Sequence, residues 1–181
     1  MRPSFIAIGL VTLTLVAGCA SDTRVHDRPG EMLVNGSFAH GTKHWVVEQS
    51  GATGRAKCVK EGPGGKASLR LTVLSVATNA WRLQLYHAGI RIEKGRTYDL
   101  TFWARSDRAA IISANCMQNH EPWDHHTQIK LPVSTEWKPM RFTFVGPWTD
   151  DKARICITDL GTTPGQVYWF ANCSLVPANS P

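Results

Sequence analysis

After its first twenty residues the chain has no long apolar run, and the run before that, Phe5 to Val16, is broken by Gly9, Thr12 and Thr14. It falls short of the roughly 20 apolar residues that a bilayer-spanning helix needs. A multi-span membrane protein is excluded. Charged residues make up only 19%, and the 20 Lys and Arg are scattered singly, with no basic cluster. Nucleic acid is therefore not an expected partner, because its recognition needs a concentrated positive patch. There is no Gly-x-Ser-x-Gly elbow, no glycine-rich phosphate loop and no internal repeat. Carboxylates fall mostly in turns (Glu61, Glu93, Asp107, Asp150, Asp151), so no glycosidase pair stands out and no catalytic residue is assigned. What is present is globular: 181 residues, 43% hydrophobic, a formal charge of +6 and seven Trp. That length suits one domain.

The N-terminus reads as an address. Arg2 supplies a positive start, and the apolar run ends in Val16-Ala17-Gly18-Cys19. Small residues just before a cysteine resemble a bacterial lipoprotein signal peptide. The resemblance implies removal of residues 1–18 and a lipid on Cys19. It also implies a partner membrane reached through that lipid. Ala20 and Ser21 follow, with no Asp directly after the cysteine, a pattern that resembles sorting to the outer membrane of the bacterial envelope. The plainer alternative is a secretory signal with a chance cysteine. Residues 19–31 are polar and read as the lipidated cysteine plus a flexible tether.

From residue 32 the apolar residues recur at period two, in short runs between Gly, Pro, Asn and Asp. Ser68 to Val73, Trp81 to Tyr86 and Thr97 to Arg105 alternate cleanly. Further runs are Ala110 to Met117, His126 to Val133, Trp137 to Val145, Ala153 to Thr158 and Gln166 to Val176. No stretch sustains a helical period with caps at both ends. The fold class is all-β, a two-sheet antiparallel sandwich.

Ordered motifs then carry a family resemblance. Leu33-Val34-Asn35-Gly36-Ser37-Phe38 and Trp45 open the domain. Ser68 to Leu71, Gly95 to Arg105 and Gln118 to Trp123 follow, and Thr135 to Trp137, Phe142 to Phe144, Leu160-Gly161 and Gln166 to Leu175 close it. In this order the chain resembles a carbohydrate-binding module of the family 4 and 9 type, a galactose-binding-like jelly roll. The resemblance spans residues 32–177 and leaves 178–181 as a tail. It implies a glycan-binding, non-catalytic domain. The strands starting at Trp81, Ala110, His126 and Ala153 would form a concave binding sheet. Those starting at Ser68, Thr97, Trp137 and Gln166 would form the convex one.

On that template the pleat defines a face. If Trp81, Leu83 and Leu85 point to the core, then Arg82, Gln84 and Tyr86 point outward, joined by Asn115 and Met117 from the next strand. Sugars present apolar ring faces and a rim of hydroxyls, so a site needs an aromatic platform and polar partners. Arg82, Gln84, Tyr86 and Asn115 supply that chemistry, with Trp123 as a rim residue. His120 and Asp124 are further candidates from the same loop. Trp45 and Trp137 match family positions that pack on the core, Trp81 alternates with leucines as a core residue would, and Trp103 should point out of the convex sheet. Trp148 is left open. His120 to His126 holds three His and two carboxylates, but Pro122 breaks any helix, and a polar loop is the better reading than a metal site.

Four cysteines remain after Cys19. On the jelly-roll order the expected bridges are Cys116–Cys156 and Cys58–Cys173, with buried free thiols as the alternative. The family resemblance also implies a structural calcium near both chain ends. Its acidic positions fall here on Ala39 and Ala171, so that calcium is expected to be lost and no cofactor is expected. Three functions compete: a non-catalytic glycan-binding lipoprotein, an envelope scaffold or protein-interaction lipoprotein that has kept the jelly roll, and a cryptic carbohydrate-active enzyme.

Overall fold

The computed structural model describes residues 29–178. The expected signal peptide, Cys19, residues 19–28 of the expected tether and residues 179–181 of the tail lie outside these residues. The described chain forms ten strands: β1 (Val46–Gln49), β2 (Thr53–Val59), β3 (Ser68–Ser75), β4 (Leu83–Ile92), β5 (Thr97–Ser106), β6 (Ala110–Gln118), β7 (His125–Val133), β8 (Lys138–Val145), β9 (Asp150–Thr158) and β10 (Val167–Pro177). They make two five-stranded sheets, ordered β1-β4-β9-β6-β7 and β2-β3-β10-β5-β8, with every neighbouring pair antiparallel. The all-β sandwich is thus observed, and the eight expected strands fall in the expected sheets. The two additions, β1 and β2, each extend one sheet by an edge strand.

Alternation sets which side chains meet between the sheets. Leu69, Leu71 and Val73 on β3, Tyr98, Leu100 and Phe102 on β5, and Phe142 and Phe144 on β8 face Leu83, Leu85, Ile112, Ala114, Ile155 and Ile157 from the other sheet. Burying each such side chain contributes about 1.5–3 kcal/mol. Trp45 joins this core as expected and packs against Phe38 with ring centroids 5.2 Å apart.

Trp137 does not join the core, contrary to expectation. It lies on the outer face of the β2-β3-β10-β5-β8 sheet at the end of a cation–π ladder. Arg70 sits 5.6 Å from the Trp169 ring, Arg105 sits 3.9 Å from the same ring, and Arg105 sits 5.4 Å from Trp137. Glu61 fastens the ladder: its carboxylate accepts from Trp169 Nε1 at 2.7 Å and its carbonyl from Trp137 Nε1 at 3.1 Å. Trp103 is half-buried on this same outer face, where the pleat placed it.

The expected disulfides are also corrected, since Cys58, Cys116, Cys156 and Cys173 are all free. Strands β6 and β9 are neighbours, but Cys116 pairs with Ile155 whereas Cys156 pairs with Asn115. Cys116 therefore points into the core and Cys156 to the opposite face. Cys58 and Cys173 lie on β2 and β10, which flank β3 on either side. Cys58 is level with Phe170 across β3, so two strand spacings of about 10 Å are a lower bound on its distance to Cys173, beyond the reach of a bridge. Burial pushes the Cys156 thiol up to about 12 and raises Cys116 and Cys173 as well, so all three are inert neutral groups at pH 7.

Candidate carbohydrate-binding cleft

The outer face of the β1-β4-β9-β6-β7 sheet carries a cleft of about 620 Å³. Its size falls in the ordinary range for ligand sites, roughly 300–1,000 Å³. The floor follows from register. Tyr86 on β4 pairs with Cys156 on β9, which pairs with Asn115 on β6, which pairs with Gln128 on β7. All four side chains therefore share the outward face of one row. Gln84 and Glu48 pair across β4 and β1 and extend the polar floor. Asn115 Oδ1 is buried and has no hydrogen-bond partner, which leaves an acceptor at the centre of the floor.

Two exposed indoles stand at the cleft. Trp123, 47% exposed, is carried by the β6–β7 loop with a left-handed φ of 64°. Its amide donates to His120 O at 2.8 Å, and the loop is closed by Asp124 N on Gln118 Oε1 and Gln118 N on Asp124 O. Trp81, 45% exposed, also lines the cleft and is not a core residue. The strand begins at Leu83, and Ala80–Arg82 is one turn of 3₁₀ helix. The apparent alternation from Trp81 into Leu83 crosses that turn and so fails to predict its direction. Arg82, in the same turn, does not line the cleft. Its guanidinium donates to Ser50 O at 3.1 Å and stacks 5.0 Å from the Trp81 ring, so it backs that indole.

Of the five residues expected to form the site, the structure brings Gln84, Tyr86, Asn115 and Trp123 around one cleft and leaves Arg82 behind it. Glu48, Trp81, Gln128, Arg154 and Asp159 are cleft residues that the pattern did not identify. Arg154 lies 4.7 Å from the Tyr86 ring and 5.6 Å from the Trp123 ring, and donates to Glu48 Oε2 at 2.9 Å. Asp159 accepts from the Ser113 hydroxyl.

His120 and Asp124 do not line the cleft; His120 instead ties the Trp123 loop to β9. Its Nδ1 faces Glu121 O at 2.7 Å and its Nε2 faces Asp150 Oδ1 at 3.3 Å. Both nitrogens meet acceptors, so the ring is satisfied only as the imidazolium. The Glu121 carbonyl and the Asp150 carboxylate raise its pKa accordingly. His126 Nε2 meets the other Asp150 oxygen at 3.3 Å, but burial lowers its pKa. Burial pushes Asp150 upward, yet the Lys152 amide and the two imidazoles outweigh it and hold the carboxyl below its usual range. Trp148, which the sequence left open, stacks on His126 with centroids 4.5 Å apart. No three His, Cys, Asp or Glu among the described residues form a metal-binding group.

The residues at the joined chain ends do not fit a calcium ion. Ala39 and Ala171 offer no side-chain oxygen, and Glu31 Oε1 accepts from the amides of Met32, Leu33 and Leu175. A hard cation wants several such oxygens.

Residues 30–162 match the family model described as a carbohydrate binding domain. The chain belongs to this carbohydrate-binding-module family of type 4/9. Such modules bind glycans and are non-catalytic. A cellulose 1,4-β-cellobiosidase of Acetivibrio thermocellus is 27% identical over 124 residues, which is 67% of this chain and 13% of that enzyme. The module thus corresponds to a small part of its relative. Among solved structures, a family 4 module (CBM4) aligns with a TM-score of 0.68 at 22% identity, covering 79% of this chain and 97% of the other. The N-terminal cellulose-binding domain of a Cellulomonas fimi β-1,4-glucanase aligns at 0.58 and 18% identity, covering 78% and 93%. Both likenesses bear on the fold.

Proposed function

We propose that this module binds a polysaccharide strand in the cleft on the β1-β4-β9-β6-β7 sheet, without cleaving it and without a metal. Cys19 would hold it by lipid in the bacterial envelope, at the outer membrane. The observation that carries the cleft assignment is the placing of Trp81, Tyr86 and Trp123 around the amides of Gln84, Asn115 and Gln128 in one open cleft. Indole faces suit the C–H faces of pyranose rings, and the amides and the free Asn115 acceptor suit hydroxyls. The cellulose named for the two relatives makes β-1,4-glucan the first chain to try.

Calorimetry or affinity electrophoresis across a glycan panel tests this reading. Trp123→Ala is expected to cost about 1–3 kcal/mol of binding, roughly a tenfold to hundredfold loss. Trp103→Ala, on the opposite sheet, should leave binding unchanged. Equal binding by the wild type and Trp123→Ala would move the site elsewhere. The absence of any glycan ligand would favour the scaffold reading. The anchor is tested separately: labelled palmitate should enter the wild-type chain and not Cys19→Ala, which should leave the membrane fraction. A wild-type chain that stays unlabelled would refute it.

A further inference from the structure

Among the described residues the cleft is lined by one guanidinium, Arg154, which is paired, and by the imidazole of His125. Arg154 is only 5% exposed. It reaches from β9 back across Tyr86 to Glu48 on the edge strand β1, where Nη1 donates to the carboxylate at 2.9 Å. Nη2 points at Met117 Sδ at 3.5 Å, a weak acceptor, and Nε is buried without a partner. Glu48 is thus the guanidinium's one ionic partner among the described residues. Its side chain is 34% exposed, so one face of the pair is open to the cleft. The other carboxylate lining the cleft is Asp159, which no cation among the described residues pairs with. A ligand entering here meets two carboxylates and a cation that is already paired.

We infer that Glu48 sets the charge selectivity of the cleft: it occupies the position over Arg154 that a carboxylated sugar would need, and so restricts the site to uncharged sugar units. This inference deepens the carbohydrate reading and rests on it. The physical basis is that specificity comes as much from an unfavourable contact with the wrong ligand as from good contacts with the right one. A uronate would have to displace Glu48 or lie beside it, and like charges in a partly desolvated site repel strongly. A neutral ring keeps the Glu48–Arg154 pair intact and can use the free carboxylate oxygen as an acceptor for its hydroxyls. Removing only the charge of Glu48 leaves a buried guanidinium with a neutral partner, facing the cleft between two aromatic rings. That is a ready carboxylate site, because Arg is a strong partner for planar anions.

The test uses a neutral β-1,4-glucan chain and the same chain oxidised at C6, two ligands that differ only at that carbon, where a carboxylate replaces the primary alcohol. The mature wild-type chain should prefer the neutral ligand by about tenfold or more. Glu48→Gln keeps the shape and an acceptor oxygen for Arg154. It should raise affinity for the oxidised chain by about tenfold, and that gain should vanish as salt is raised and the charges are screened. Its affinity for the neutral chain should fall, because the carboxylate that accepts ligand hydroxyls and balances Arg154 is replaced by an amide, so the quantity read is the ratio of the two affinities within each variant. Asp159→Asn removes a different cleft carboxylate, away from Arg154, and should give a much smaller gain.

No gain in Glu48→Gln, or an equal gain in Asp159→Asn, would overturn the assignment. A measurement on the wild type alone covers the case of a poorly folding variant: its weak binding of the oxidised chain should strengthen with salt, because repulsion is being screened, and weakening would count against the inference. The neutral ligand reports separately on the carbohydrate reading. A wild type that binds the neutral chain while Glu48→Gln gains nothing refutes the role of Glu48 and leaves that reading standing. If the wild type binds neither of these chains nor any other glycan of the panel, both fall.

Discussion

Gly36→Ala is expected to destabilise the fold by more than about 3 kcal/mol. A Cβ at this position would lie 1.8 Å from the carbonyl oxygen of Cys173 and 2.9 Å from its carbonyl carbon. Both are backbone atoms, so no rotamer change relieves the overlap. Backing the two chains apart would break the bond from Cys173 N to Gly36 O, which is 2.9 Å long. The approach is this close because β10 shifts register between Ala171 and Ser174, with Asn172 at a φ of 51°, and pushes the Cys173 peptide toward the opening loop. Asn35 beside it is equally constrained. It has a φ of 58°, donates to the carbonyls of Gly41 and Lys43, accepts from His40 N, and gives its own carbonyl to Trp45 Nε1. Displacing Gly36 therefore disturbs the loop that delivers Phe38 and Trp45 to the core. Denaturant unfolding measures the loss, with Ser37→Ala as a near-neutral neighbour. A Gly36→Ala variant within about 1 kcal/mol of wild type would show that the loop has room to move.

The same residues explain why the fold was legible in the sequence. Asn-Gly before Ser37-Phe38 is a backbone requirement, and it stood at the head of the family resemblance. Strands such as Thr97–Ser106 were legible because one face is buried and the other is wet, so the period of two is clean. β1 was not legible, being four residues with no fully buried position. β2 was missed for a related reason: its inner side chains, Ala56 and Cys58, are small and only partly buried.

The site was harder to read than the fold, for identifiable reasons. Gln84, Tyr86 and Asn115 came from strands whose inner faces are plainly apolar, so their outward direction followed. Arg154 sits in β9, where Ala153 to Thr158 are all buried, so the pattern did not say which face each side chain takes. One signal was present: Arg154, Cys156 and Thr158 alternate with Ile155 and Ile157, which places the arginine outward if the isoleucines are core. Glu48 was invisible because β1 was. Trp81 was misread because alternation continued by coincidence through a turn. In each case the local pattern was real and the missing information was tertiary: which residues a neighbouring strand covers.

Between pH 6.5 and about 4 the domain should lose about 3 kcal/mol of stability through His87 alone. His87 is a buried residue on β4, set edge-on to Trp45 with ring centroids 5.3 Å apart. Its Nε2 accepts from Val34 N at 3.0 Å, so the folded state uses the neutral ring with a lone pair at that nitrogen. Burial, with a smaller contribution from His44, pushes its pKa down from 6.5 to about 4. Above pH 6.5 both folded and unfolded chains hold a neutral imidazole, and stability is flat in this group. Below it the unfolded chain takes up a proton that the folded chain refuses, and stability falls by about 1.4 kcal/mol per pH unit until the folded ring also protonates near 4. Protonation would abolish the Val34 bond and charge the pocket beneath Trp45, so the opening loop is the segment expected to open first. His126, also depressed by burial, acts in the same direction, and His120, raised by Glu121 and Asp150, acts in the opposite one. The contribution of His87 is therefore read as a difference. Urea unfolding of wild type and His87→Gln at pH 7, 5.5 and 4.5 should show the wild type more stable at neutral pH, with the gap closing by about 2.5 kcal/mol by pH 4.5. A gap that stays constant across this range would mean that His87 is as easily protonated folded as unfolded, and that the Val34 bond does not depend on a neutral ring.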